Sequence, residues 1–401
     1  MVSKLKIHVF DLNKHCVSGL DGVKIDSNLL NSLFNSTDCD LSVNYRDADF
    51  IFVPNNLSVI IKRLGLIKFH ELFNSSQVFH QYYWKFLFYY PEENAWSYPL
   101  GGTWLRTSVD KTDNEYQSIS LPYFKPNQDF NPPTTSKYKI NFIGAIHTHP
   151  VREKLLANII SSENINDSIF LLMRHQFYWD EMGEHIRKKQ IKQMYDAILR
   201  TGTTLCPRGT GMNSIRFFEA MSFGRAPILV SENCVLPFED IIPYDDFIYR
   251  LNPEDEFSAI LDIKHHELEE KCRVAHDFHK KFLDPKSFSN LLAKYLVEFR
   301  DEIYNNRKLE GPFPFEITPS SLFDYFFRYI ERYNSSGELM NALTGVRMLK
   351  ELTDEKLELK KLDNLDNNIT FAINEVKLRN LRKYIDYINN KYFDIWNVHN
   401  Q

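Results

Sequence analysis

Residues 203–230 constrain this chain more than any other stretch, because they read as strand, glycine-bearing loop, helix, tight turn and strand. Pro207, Gly209 and Gly211 exclude a regular element over 207–213. Ser214 is placed to cap a helix predicted over 215–223, and Gly224 suits the residue that closes one. Residues 226–230 are short, apolar and partly β-branched, as a strand buried in a parallel sheet is. Such a loop turns unpaired backbone N–H groups and the positive end of a helix toward whatever lies above the sheet, which favours phosphate. Arg208 in the loop and Arg216 in the first helical turn can add charge-assisted hydrogen bonds to that anion. Glu219, three residues after Arg216, could accept from ribose hydroxyls, or could simply pair with Arg216 across one turn.

The flanking sequence extends this unit. Strands and helices alternate over 138–250, which predicts a doubly wound parallel sheet and an α/β class. Residues 138–144 read as the first strand of that sheet, 168–173 as the next and 247–251 as the last. Upstream, 4–12 read as an opening strand that carries Asp11 to its C-terminal edge, where open α/β sheets bind ligands. Residues 58–73 have helical periodicity. Residues 77–90 are dense in aromatic side chains that suit a core, with His80 among them as a candidate for the cleft. Residues 125–137, rich in Pro, Asn and Thr, make the best linker. The predicted domains are 1–130, 137–305 and a helical extension over 310–401, with helical periodicity at 320–333, 338–352 and 369–396. Apolar faces in the extension (Phe323, Phe326, Phe327, Ile330; Leu339, Leu343, Val346, Leu349) must be covered by the same chain or by a second one, so an oligomer through these helices is one expectation.

Several readings are disfavoured. A net charge of -5 gives no support to a nucleic acid partner. Asp47-Ala48-Asp49 precedes its strand, the wrong end for a metal-binding triplet, and His147 and His149 lack a third ligand, so no metal site is expected. Five cysteines without a CxxC pair read as reduced thiols. No apolar run approaches a membrane span, and no leader is evident before the first strand, so a cytoplasmic protein is expected.

Pro207-Arg208-Gly209, the Ser214-x-Arg216-Phe217-x-Glu219-Ala220 helix, Gly224-x-x-Pro227 and Leu236-Pro237-Phe238 together resemble the exostosin-like glycosyltransferases, family 47. Ala48-Asp49 followed by Val53-Pro54, Ser118-Ile119-Ser120-Leu121-Pro122, and Phe142-x-Gly144 followed by Arg152 and a Leu-rich helix extend the likeness in patches over roughly 4–290. The resemblance implies a GT-B fold: two Rossmann-like domains facing across a cleft, here with the helical C-terminal extension added. It further implies an inverting transfer of a hexose or pentose from a nucleotide-sugar donor to a glycan acceptor, as in polysaccharide biosynthesis, without a cofactor or a required metal. The donor would be held by Gly144, Arg152, Arg208, Gly209, Ser214, Arg216 and Glu219, with Arg152 beside a second helix N-terminus facing the diphosphate. Inversion needs a base from the N-terminal domain, with Asp11 first and His80 second. A fucosyltransferase-like GT-B enzyme and a non-catalytic glycan- or nucleotide-binding subunit remain alternatives. Because the donor motifs all precede residue 240, the extension is expected to be dispensable for nucleotide binding.

Overall fold

The structure, a computed structural model, describes residues 4–12, 33–34, 38–93, 100–112, 118–133, 139–161, 168–174, 183–252, 263–308, 319–350 and 356–391. The first sheet is built from β1 (Leu5–Val9), β2 (Cys39–Leu41), β3 (Phe50–Val53), β4 (Phe86–Tyr90), β5 (Thr103–Arg106) and β6 (Ser118–Ser120), in the order β2-β1-β3-β4-β5-β6. The second holds β7 (Ile140–Ala145), β8 (Ile169–Arg174), β9 (Thr203–Pro207), β10 (Ala226–Val230) and β11 (Tyr249–Leu251), in the order β11-β10-β9-β7-β8. Every pairing in both sheets is parallel. The molecule is therefore an α/β protein of two Rossmann-like lobes with a helical C-terminal region, the architecture expected from the motifs.

The two-residue period of a strand sorts the first lobe's side chains onto two faces. Ile51, Val53, Phe86, Phe88 and Trp104 point to one face, where they meet helices α1 (Leu57–Asn74) and α2 (Gln77–Tyr82). Phe50, Phe52, Leu87 and Leu105 point to the other. That second face is covered by residues far along the chain. After α3 (Pro150–Ser161), α4 (Glu184–Leu199), α5 (Ile215–Ser222) and α6 (His265–Phe278), the chain crosses back through α7 (Pro285–Glu298) and α8 (Arg300–Lys308). Leu292, Leu296 and Ile303 join the apolar cluster under the first sheet. Arg300 donates to Asp49 at 2.8 Å, and Tyr304 donates to the Asp49 carbonyl. The last two helices of the expected 137–305 domain thus pack on the first lobe, where they share its second apolar face with Leu33 and Phe34, the latter 4.8 Å from the Phe52 ring.

The extension is part of the same body. Helices α9 (Pro319–Ser335), α10 (Leu339–Lys350) and α11 (Lys356–Lys391) follow. Leu322, Phe326, Ile330, Leu343, Val346, Leu349, Leu362 and Ile369 are buried in one cluster with Ile60, Phe69, Phe73 and Phe79 of the first lobe. Of the two covers expected for these helical faces, the same chain or a second one, this chain's own aromatic core supplies the cover seen here. Ion pairs reach both lobes: Arg332 with Asp110 at 3.4 Å, and Arg379 with Glu153 at 2.5 Å.

The segment read as a linker is extended and held on the second lobe as far as residue 133. Asn127 N–H donates to Asp284 at 3.0 Å, and Gln128 N–H to the Ser222 carbonyl at 2.9 Å. The remainder of that linker, Cys16, and the tip of the 369–396 helix lie outside the described residues.

Candidate active site

In the second sheet the chain runs from β7 outward to β8 and then returns to place β9 on the other side of β7. That reversal leaves a crevice beyond the C-terminal ends of β7 and β9, the place where doubly wound sheets bind ligands. An open cleft lies there. Its floor is Ile143, Gly144 and Ala145 from the end of β7, and one wall is Gly209, Thr210 and Asn213 from the loop after β9. Ser214, Ile215 and Arg216 bring in the start of α5, while Arg174, Gln190 and Met194 close the far side. Glu93, which follows β4, is the member of this lining that the first lobe supplies.

Local sequence explains the α5 end. Ser214 has the extended backbone of an N-cap (φ -123°, ψ 132°), but its hydroxyl makes no capping bond. The Ser214 carbonyl takes the Phe217 N–H at 2.9 Å, so backbone and not a side-chain cap closes the first turn, and the positive end of the helix still points at the cleft. Gly224 closes the helix at φ 65°, and a Cβ there would also fall 2.5 Å from the Phe130 ring. Beneath the cleft Glu219 is 1% exposed and both its oxygens are occupied, by Arg216 and by Lys125 at 2.9 Å. Glu219 therefore aims Arg216 at the cleft and does not line it. Of the two sequence readings, a ribose contact and a pair across one turn, the structure builds the pair.

Arg152 is buried on the cleft wall, and its guanidinium is shared among backbone carbonyls. It donates to Ala145 at 2.8 Å, Arg208 at 2.9 Å and Pro207 at 3.0 Å, tying the β7 loop to the β9 loop. Burial pulls its pKa down to about 10, against the charge of Glu93. The second helix end expected at the diphosphate, that of α3, is already satisfied: the His149 imidazole accepts from Val151 N–H at 3.2 Å.

Arg208 turns away from the cleft. Its guanidinium donates at 2.9 Å to Glu338, at the turn between α9 and α10. Asn341 of α10 donates to the Thr210 carbonyl at 2.9 Å, and His149 lies 3.8 Å from Glu338. Burial raises the Glu338 carboxyl, but the His149 contact and the Arg208 charge outweigh it and hold the carboxyl at about 2. The extension, expected to be dispensable for nucleotide binding, buttresses the loop after β9.

The lobes also meet directly. Asn213 donates to the Thr107 carbonyl at 2.6 Å, and Met212 N–H to Ser108 Oγ at 2.8 Å. A Cβ on Gly211 would fall 2.4 Å from the carbonyl oxygen of Glu93. Gly211→Ala is accordingly expected to fold, because the loop can shift, but to push the lobes apart at the cleft. A displacement near 1 Å costs about 10²-fold in turnover. A melting temperature within a few degrees of wild type, with turnover down by about that factor, is the expected pair of readings.

A family model described as the Exostosin GT47 domain matches residues 1–261, well over half of the chain. The chain belongs to the exostosin GT47 family. This GT47 chain is 29% identical over 123 residues to Exostosin-1 of Drosophila melanogaster, which is 29% of the chain and 16% of that protein. It is 30% identical over 92 residues to Ribitol-5-phosphate xylosyltransferase 1 of Mus musculus, or 23% of the chain and 19% of that protein. The matched stretch thus spans less than a fifth of either relative's length. Among solved structures, a chain of a GtfA/B complex aligns over 64% of this chain and 58% of its own, at 9% identity and a TM-score of 0.33.

In this GT47 chain the residues expected to act as base stand elsewhere. Asp11 is buried just past β1, on the expected edge of the sheet, but it does not line the cleft. The first-lobe wall is supplied from the end of β4, and β3 lies between β4 and β1. Two strand spacings of about 4.8 Å separate them. His80 precedes β4 and so lies at the opposite edge of the sheet, with its Nε2 at 2.5 Å from the Asn74 carbonyl. Gly144, Gly209, Ser214, Arg152 and Arg216 do converge on the cleft. Sequence reasoning missed Glu93, Thr148, Arg174, Asn213, Lys125 and Glu338. Glu93 and Arg174 carried a usable signal, a charged residue at the C-terminal end of a buried parallel strand. Among the described residues no cluster of three or more His, Cys, Asp or Glu could hold a metal ion, and no helix is long and apolar enough to cross a membrane.

Proposed function

We propose that this exostosin-family chain is an inverting glycosyltransferase that takes a nucleotide-sugar donor and passes the sugar to a glycan acceptor. One observation carries the reading: the N-terminus of α5, which has no side-chain cap, lines the cleft at the sheet's switch point, beside Arg216. Charge that builds on a leaving diphosphate is the main electrostatic demand of such a transfer. Arg216, held by Glu219, and the helix end meet it without a metal ion. Gly144 and Gly209 let the Arg152 guanidinium pack closely against their two loops and hold them in register. Xylosyl and glucuronosyl donors are the first to try, since relatives carry the names xylosyltransferase and probable glucuronosyltransferase. A cytoplasmic setting and a role in polysaccharide assembly are part of the same proposal.

Thermal-shift titration with UDP, GDP and CDP in EDTA, followed by UDP release from UDP-xylose and UDP-glucuronic acid, tests the reading. One nucleoside diphosphate should raise the melting temperature with EDTA present. Arg216→Ala should weaken it by the ~1.5–3 kcal/mol of a charge-assisted contact, about ten- to a hundred-fold in Kd. Equal affinity in a folded Arg216→Ala protein, or binding that needs added manganese, would reject this assignment.

A further inference from the structure

We propose that Glu93 is the catalytic base of the transfer, the group that takes the proton from the acceptor hydroxyl. The inference rests on the transferase reading above. An inverting displacement needs a carboxylate or imidazole on the face of the sugar opposite the leaving diphosphate. In a two-lobed enzyme that group comes from the lobe facing the donor. Glu93 is the one carboxylate among the described residues lining the cleft, and it comes from the first lobe while every other lining residue comes from the second. Its place is fixed at both ends. Phe88 and Tyr90 anchor the preceding strand in the core, and its own carbonyl closes against Gly211 in the donor loop. The neighbouring Glu92 is occupied in the first lobe by Ser58 and by Lys62 at 3.1 Å.

The chemistry closes on these groups. The acceptor O–H proton passes to a Glu93 carboxylate oxygen. The acceptor oxygen forms the new bond to the anomeric carbon from the side opposite the diphosphate. The bond from that carbon to the diphosphate oxygen breaks, and its electron pair leaves with the nucleoside diphosphate. Arg216 and the α5 end hold the added charge, and Glu93 later loses its proton to solvent. Burial raises the Glu93 carboxyl above its ordinary value, and the charge of Arg152 opposes that rise. A raised carboxyl is a stronger base than a free one.

The test uses the full chain and whichever of UDP-xylose or UDP-glucuronic acid the wild type turns over, with water as acceptor and then with azide. Glu93→Ala and Glu93→Gln should bind UDP within about two-fold of wild type and keep its melting temperature, while donor hydrolysis falls by about 10²–10⁴-fold. Azide is already anionic and needs no base. It should restore UDP release in Glu93→Ala and give the glycosyl azide of inverted configuration. The wild-type rate should rise with pH through a limb above the ordinary carboxylate range, and that limb should vanish in Glu93→Gln. If Glu93 serves only to balance Arg152 and Arg216, Glu93→Gln will keep its turnover and bind UDP more tightly, and the proposal is overturned. A wild type that binds UDP yet releases none from either donor, with water or azide, rejects the transferase reading itself. Turnover lost in Glu93→Ala without azide rescue, at unchanged UDP affinity, rejects the base role alone.

Discussion

A chain ended at residue 308 is expected to aggregate and to lose nucleoside diphosphate binding together with its fold. Leu322, Phe326, Ile330, Val346, Leu349 and Leu362 are each 2% exposed or less, and they lie against the first lobe's aromatic core. Each such side chain is worth about 1.5–3 kcal/mol when buried, so the set of six is comparable to the whole ~5–15 kcal/mol by which a domain is stable. Light scattering and near-ultraviolet circular dichroism would read the outcome directly. A shortened chain that stayed monodisperse with native aromatic dichroism would show that the first lobe closes its own core, against the packing described. A milder form of the test is Phe326→Ala, expected to cost ~3–5 kcal/mol while leaving the donor residues in place.

Arg152→Ala is expected to be the most damaging single change near the cleft. It removes one planar donor from the carbonyls of Ala145, Pro207 and Arg208 at once. A buried carbonyl left without a partner costs ~1–3 kcal/mol, which points to a loss on the order of 3–5 kcal/mol after water reaches part of the gap. Arg152→Lys should recover little, because a single ammonium cannot reach three carbonyls arranged around a guanidinium. Urea unfolding gives the stability change and UDP titration gives the affinity, and both should fall together. A stable Arg152→Ala protein that had lost only UDP binding would make Arg152 a direct ligand of the diphosphate, as the sequence motif suggested.

Much of this organisation was legible in the residues, and the gaps have physical reasons. The strand–loop–helix–strand unit at 203–230 was readable because its glycines, prolines and apolar runs are local signals. The fate of Arg208 was not, since its partner Glu338 lies 130 residues away and nothing local marks the pair. Glu219 looked equally suited to a ribose or to Arg216, and only the arrival of Lys125 from the interlobe segment, together with full burial, decided it. Asp11 was placed correctly on its strand edge, but strand order, which spacing along the chain does not reveal, put β4 at the cleft instead. The return of α7 and α8 to the first lobe was hidden for the same reason. Their amphipathic faces show that they are buried without showing against which sheet.

The closure of the first lobe by residues 322–373 has a consequence for how the chain is made. Trp104, the last residue of the first lobe's strands to enter that cluster, leaves the ribosome more than 200 residues before the helices that cover it. At the ~5–20 residues per second of synthesis, the aromatic face waits roughly 10–50 s uncovered. The nascent chain must be shielded through that interval, and its yield in a cell should track the supply of chaperones that bind apolar segments during translation.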